Sequence, residues 1–293
     1  MNGIINIYKE KGFTSHDVVN ILRKIFRTKK IGHTGTLDPD ATGVLPICIG
    51  NATRVAEYLI EKDKAYVAKM AFGKSTDTQD ASGEIIEVSS LPLMSEKEFK
   101  EVCDEFIGKQ SQVPPMYSAI KYKGKPLYKY AREGIIITNL PCREIEIYDI
   151  NVLHFSPYEA EIKILCSKGT YIRTLCVDIA RKIGVCAHLT GLERVQSGVF
   201  KVEDSIPLSI LNISDNPSDY LISLEDSLID IDSVDVSLKD FQKIQHGQSI
   251  KVNIDQDLMP VVAKFQNKIV SIGKVERSFF KPRKVFSENE QNI

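Results

Sequence analysis

Apolar periodicity in this chain switches repeatedly between period 2 and period 3.6 without settling into a strict βαβ rhythm, a pattern that fits strands and helices sharing a mixed sheet best. Residues 3–8 read as a short strand, and Val18, Val19, Leu22, Ile25 and Phe26 then recur at helical spacing behind the cap candidates Thr14 and Ser15. An apolar stretch at 44–49 precedes a helix opened by Asn51, with Val55, Ala56, Leu59 and Ile60 inward. Strands are expected at 65–72 and 84–88. Ser95 and Glu98 form a capping box ahead of a helix with Phe99, Val102, Cys103 and Phe106 on its inner face and Gly108 as its stop. Alternating strands at 145–152 and 160–166 lead into a helix with Ile172, Leu175, Cys176, Ile179, Ala180 and Ile183 on one face, closed by Gly184. Strands that alternate polar with apolar bury one face only. The expected class is therefore α+β, a mixed, largely antiparallel sheet flanked by helices.

With 293 residues and 43% hydrophobic content the chain can bury a good-sized core and a second, smaller one. Three regions are expected: 1–205, interrupted by a polar, aromatic excursion at 110–143; an acidic bridge at 206–240 with one or two short helices; and 241–293. In the last, short runs at 249–252, 261–265, 269–274 and 284–286, separated by turn residues such as Gln266 and Asn267, predict a small β-barrel.

Charge is balanced overall, 38 Lys+Arg against 39 Asp+Glu, so the strongly basic signature of many nucleic-acid binders is missing. Its distribution is uneven. Lys239 is the single base within the acid-rich stretch 203–240, whereas two windows contain bases and no acid: Arg23, Lys24, Arg27, Lys29 and Lys30, and then Lys109, Lys121, Lys123, Lys125, Lys129 and Arg132. Such windows either hold a polyanion locally or form solvated faces. The six cysteines show neither a Cys-x-x-Cys pair nor a zinc-like Cys/His spacing and read as reduced core thiols. With no signal-like apolar core and no run near the ~18 residues of a membrane span, a soluble cytoplasmic protein is expected.

The chemistry concentrates in residues 32–43, G-H-T-G-T-L-D-P-D-A-T-G. Pro39 biases Asp38 away from the helical region, and Gly32, Gly35 and Gly43 allow left-handed or closely approached backbone, so Asp38 should stand on a tightly turned loop at a sheet edge. A plain Asx-turn aspartate is the alternative. Arg173 falls in the first turn of its helix, where the macrodipole disfavours a cation, so an anion should compensate it unless it is solvated or contacts phosphate. Tyr66 shares a strand face with Ala68, Met70 and Phe72 and alone reads as core; His33 alone reads as surface. Gly73, Lys74 and Ser75 resemble the end of a P-loop, but Ala68 stands where its first glycine is required. Asp77, Asp80 and Glu84 lack calcium-loop spacing, and no metal is expected.

The stretch 32–46, G-H-T-G-T-L-D-P-D-A-T-G-V-L-P, resembles the catalytic signature of TruB pseudouridine synthases. So do K-A-Y at 64–66, T-D-T-x-D-x-x-G at 76–83, P-P-x-Y-S-A-x-K at 114–121, A-R-x-G at 131–134 and C-S-K-G-T-Y-I-R-T at 166–174. The resemblance implies a synthase core in 1–205, an RNA-gripping thumb at 110–143 with Lys121, Lys123 and Lys125 on the RNA backbone, and a PUA-like RNA-binding domain at 241–293. It makes Asp38 the catalytic carboxylate, Arg173 its ion-pair partner, and Tyr66 the ring that stacks on the flipped uracil and takes part in proton removal from C5. His33 would fill the gap left in the T-loop, and Tyr171 and Leu192 would line the pocket that a flipped base needs. The N-terminal signature departs from the family's D-K-P-x-G: Tyr8, Lys9, Glu10, Lys11 and Gly12 stand there, leaving Lys9, the aligned lysine, and Lys11 as rivals. In 192–194 a single arginine, Arg194, stands where the family commonly has two.

The activity that the resemblance implies is isomerisation of the T-loop uridine (U55) of tRNA, bound through its T-arm, without cofactor, guide RNA or protein partner, by a monomer. Asp38 would attack C1′, add to C6, or remove the 2′ proton. The alternative from another class is a catalytically silent tRNA-binding or folding chaperone on the same scaffold.

Overall fold

The computed structural model describes residues 2–137 and 139–286; Thr138 of the expected thumb and the part of the expected C-terminal domain beyond Phe286 lie outside the described residues. The chain divides into two compact units, one formed by the residues up to 61 and from 197 on, the other by residues 62–196.

In the first unit, strand Gly3–Lys9 pairs antiparallel with Thr42–Ile49 and parallel with Ile206–Pro207, and Ile31–His33 pairs antiparallel with Thr42–Ile49. Helix Ser15–Ile25 starts where Thr14 and Asp17 form a reciprocal capping box, satisfying two otherwise orphaned backbone donors. The segment expected to be one helix from Asn51 is a 3-10 turn, Gly50–Val55, followed by a short α-helix, Ala56–Ile60. The acidic stretch, which contributes helices Leu208–Ile213 and Leu224–Ser227, is tied directly to this sheet. Beside the Ile206–Pro207 pairing, Ile222 and Ile4 exchange backbone hydrogen bonds at 2.9 and 2.7 Å.

Residues 233–285 form a five-stranded sheet in the order Ser233–Asp235, Leu258–Phe265, Lys268–Glu276, Phe279–Val285, Ile250–Lys251. The expected barrel is not closed: among the described residues the two short outer strands do not pair with each other. Side chains of successive strand residues point to opposite faces, and here both faces are buried. Val261, Ala263 and Val270 pack with Phe241 and Ile244 of helix Leu238–Gln245, while Val262, Ile269 and Ile272 join Ile4, Val44, Cys48, Val55 and Leu59 in a second core. The turns Gln266–Asn267 and Arg277–Ser278 both have positive φ at each central residue, 50° and 62° and then 52° and 60°, the geometry that suits a two-residue hairpin.

The second unit carries a sheet ordered Ala187–Ser197, Lys64–Phe72, Glu159–Cys166, Arg143–Phe155, Gly108–Gln112, with the last three pairings antiparallel. Helices Glu96–Asp104 and Ile172–Lys182 cover one face. Phe99, Cys103, Leu175, Cys176 and Ile179 pack there against Ala68, Met70, Phe72, Ile162 and Ile164. Phe99 meets Phe72 edge-on at 5.9 Å and stacks on Phe155 at 4.6 Å. The α+β expectation holds, and the strand Ala187–Ser197 is an addition to it.

Candidate active site

The Asp38 loop belongs to the first unit and is held by its backbone on both sides of the aspartate. Ser15 Oγ accepts from Leu37 N at 2.9 Å and lies 3.3 Å from Leu37 O, to which it donates. On the other side, Pro39 O accepts from Gly12 N at 2.9 Å and from Lys9 Nζ at 3.1 Å. Lys9 is fully buried, and its ammonium also donates to Phe13 O at 2.7 Å and Glu10 O at 3.1 Å. Lys11, the rival lysine, is exposed and sits 3.9 Å from Asp40. The structure thus separates the two: Lys9 fastens the Asp38 loop, and Lys11 decorates it. Upstream, Thr34 bonds Pro46 O through both its N–H and its hydroxyl, each at 3.1 Å. His33 and Asp38 are half-buried between these anchors, and Gly35 has φ 140°, a backbone angle that side chains rarely allow.

In the second unit Tyr66 lies mid-strand opposite Ile164, half-buried, and Leu192 lies on the neighbouring strand; both pack against the same core cluster. Tyr171 is the N-cap residue of helix Ile172–Lys182. Its backbone is clamped by a buried amide, since Gln112 Oε1 accepts from Tyr171 N at 2.8 Å and Gln112 Nε2 donates to Tyr171 O at 3.1 Å. Arg173 is buried rather than solvated. Its Nη1 donates to Thr78 O at 3.0 Å and lies 3.5 Å from Asp80 Oδ2; its Nη2 donates to Tyr117 O at 3.0 Å. Asp80 supplies an anion that the helix N-terminus demands of a buried cation there.

The segment 76–83 folds around these contacts. Asp80 Oδ1 accepts from Thr78 Oγ1 at 2.7 Å and Ser82 N at 3.0 Å, and Thr76 Oγ1 donates to Asp80 O at 2.6 Å. Asp77 accepts from Glu84 N at 2.9 Å and from the Tyr117 hydroxyl at 3.1 Å. Burial, and next the Asp77 carboxylate, hold the Tyr117 phenol above the usual tyrosine range. Among the described residues no group of His, Cys, Asp or Glu is arranged to hold a metal. Gln112, Asp80 and Tyr117 carry no residue-level signal of these roles; the motifs at 76–83 and 114–121 are the pointer that the sequence offers.

The segment expected to be the thumb carries a tight hairpin, Lys121–Tyr122 with Lys125–Pro126, turned at Lys123 (φ 47°) and Gly124 (φ 83°), then helix Leu127–Arg132. Lys121 and Lys123 are exposed. Lys125 is ion-paired with Glu133 and sits 4.6 Å over the Tyr130 ring. The Tyr130 hydroxyl donates to Tyr122 O at 3.2 Å, so the hairpin and helix brace each other.

A model of the TruB family pseudouridylate synthase (N terminal domain) matches residues 23–172, and one of the tRNA pseudouridylate synthase B C-terminal domain matches 173–221. The chain is 42% identical to the tRNA pseudouridine synthase B of Listeria innocua over 97% of this chain and 98% of that one. With the Clostridium novyi protein of the same name the identity is 45%, over 93% and 95%. Among solved structures, one of an H/ACA RNP bound to a substrate RNA containing 2′-deoxyuridine matches with TM-score 0.74 and 25% identity, covering 99% of this chain and 86% of that one. A Cbf5-Nop10-Gar1 complex matches with TM-score 0.73 and 26% identity, covering 97% and 84%. Two adjoining family matches and relatives of full length establish that the chain belongs to the TruB family of tRNA pseudouridylate synthases and is an isomerase.

Proposed function

We propose that this enzyme isomerises the T-loop uridine (U55) of tRNA, with Asp38 as the reacting carboxylate. The observation that carries the reading is the grip of Lys9 and Ser15 on the backbone flanking Asp38, which fixes where the loop presents that side chain. Preorganisation of this kind lets one carboxylate meet a reacting atom without reorganising first. The glycosidic bond C1′–N1 breaks, the uracil turns, C1′–C5 forms, C5 loses its proton and N1 gains one. Atoms balance, as an isomerisation requires.

In this reading Arg173 pairs with the Asp38 carboxylate and keeps it ionised. Tyr66 stacks on the flipped uracil, His33 fills the vacated place in the T-loop, and Tyr171 and Leu192 line the pocket. Lys121 and Lys123 hold phosphates of the T-arm, with Lys125 bracing the thumb. The enzyme acts as a cytoplasmic monomer without guide RNA. The similarity of Tyr66, Tyr171 and Arg173 to the family motifs supports these roles, as does the buried scaffold that orients Tyr171 and Arg173. The test is release of tritium from C5-labelled uridine in a T-arm hairpin. Wild type should release it and Asp38→Asn should not, while both bind the hairpin alike; turnover by Asp38→Asn within tenfold of wild type would overturn the reading.

A further inference from the structure

Residues 113–120 link strand Gly108–Gln112 to the thumb hairpin without forming helix or strand themselves, and Tyr117 lies within this link. Its two polar ends reach different partners. The carbonyl oxygen accepts from Arg173 Nη2 at 3.0 Å, and the hydroxyl donates to Asp77 Oδ2 at 3.1 Å. Asp77 is itself fixed, because its N–H donates to Glu84 O at 3.1 Å and its Oδ1 accepts from Glu84 N at 2.9 Å. The turn is closed so tightly that a Cβ on Gly83 would come within 2.3 Å of Asp77 Oδ1 and 2.4 Å of Thr78 Oγ1. Tyr117 therefore spans from a rigid turn to the arginine.

The thumb is fastened to the same link. Tyr128 N donates to Ser118 O at 3.1 Å and Leu127 N to Ile120 O at 2.8 Å, so a displacement of the thumb helix is felt beside residue 117. A planar guanidinium is oriented by where its two Nη groups are held. Thr78 and Asp80 of the rigid turn hold Nη1, and Tyr117 at the root of the expected thumb holds Nη2.

We propose that Tyr117 is a positioning residue for the isomerisation: anchored on Asp77 through its hydroxyl, it uses its carbonyl to hold Arg173 in the reactive orientation and so couples thumb engagement with RNA to the arginine. The inference deepens, and rests on, the reading of Arg173 as partner of Asp38. Tyr117 acts through Arg173 and needs no contact with the base.

Tyr117→Phe removes the hydroxyl alone. Single-turnover rates at saturating T-arm hairpin, hairpin dissociation constants and thermal melting are measured for Tyr117→Phe, Asp77→Ala and the double variant of the full chain. The rate of Tyr117→Phe should fall about tenfold, the scale of one hydrogen bond to a charged group. RNA affinity and melting should stay near wild type, and the double variant should be no slower than Asp77→Ala, because a shared bond is lost once. A Tyr117→Phe rate within twofold of wild type overturns the proposal, as does a slower rate that comes with an equal loss of RNA affinity or with a lowered melting temperature, which would make Tyr117 a loop anchor only. Asp38→Asn, assayed alongside, keeps the two ideas apart: its activity would overturn the catalytic reading, whereas an inactive Asp38→Asn beside a normal Tyr117→Phe overturns the coupling alone.

Discussion

The ammonium of Lys9, fully buried, donates to the carbonyl oxygen of Pro39 at 3.1 Å, so the residue after the proposed catalytic aspartate is held by a charge from the first strand. Lys9→Met keeps the length of the side chain and removes the donors to Glu10, Phe13 and Pro39. The loss should be roughly 2–4 kcal/mol of stability, since hydrogen bonds from charged groups are worth more than neutral ones and three are lost together. Turnover should drop by at least about tenfold as the loop shifts. Lys11→Met should alter neither, because its exposed pair with Asp40 spans 3.9 Å. Denaturant unfolding and single-turnover rates of the two variants check this, and equal effects from both lysines would refute the assignment.

The thumb lysines should not be equivalent. Lys121→Ala and Lys123→Ala should each weaken T-arm binding and flatten its salt dependence, by a slope of about 0.7–0.9 per lost phosphate contact. Lys125 already neutralises Glu133, so Lys125→Ala should change the slope least while loosening the hairpin. Binding isotherms at several salt concentrations decide, and an unchanged slope in all three variants would make these lysines a solvated face.

Burial pushes the thiols of Cys48, Cys103, Cys166 and Cys176 up to about 12, whereas Cys142 is exposed. A thiol reagent at mildly alkaline pH should therefore modify Cys142 quickly in the native protein and the buried thiols only after unfolding. Unfolded thiols ionise near their ordinary value of 9.0 while the folded ones stay protonated. The unfolded state then binds fewer protons, so stability should fall as pH rises from about 9 towards 12. Thermal melts across that range test it; a melting temperature that rises instead would contradict the burial of these groups.

Elements defined by local chemistry are legible in the sequence. The capping box at Ser95 names its own helix, the cap candidate Thr14 heads another, and one-sided alternation marks strands such as Glu159–Cys166. Strand Ala187–Ser197 is not legible, because Arg194, Glu193 and Gly191 hide the alternation and Arg194 is buried by tertiary contacts. The same limit applies to Arg173: helical position shows that it needs an anion but not that Asp80, far away in sequence, is beside it. In the C-terminal sheet, alternation reveals strands without telling an open sheet with two covered faces from a closed barrel. The acidic stretch reads as a bridge with one or two short helices, and its pairing of Ile206 and Ile222 with the first strand is a long-range contact that no local pattern shows.

Tyr66 presents the sharpest choice between packing and chemistry. It is half-buried against the core that contains Ala68, Met70 and Phe72, so a packing role alone is physically sufficient to explain an aromatic ring there. If packing is all it does, Tyr66→Phe keeps the ring volume and full activity, and Tyr66→Leu lowers stability with a proportional loss of turnover. If the ring stacks on the flipped uracil, Tyr66→Leu should lose on the order of 1–3 kcal/mol of base interaction while the fold survives. Tyr66→Phe should then bind RNA nearly as wild type does, and it should turn over far more slowly provided that the hydroxyl takes part in proton removal from C5. Thermal melting of each variant is paired with single-turnover rates on a T-arm hairpin. Full activity in the Phe variant would reject the proton-transfer role and leave stacking alive, and full activity in a stably folded Leu variant would reject both.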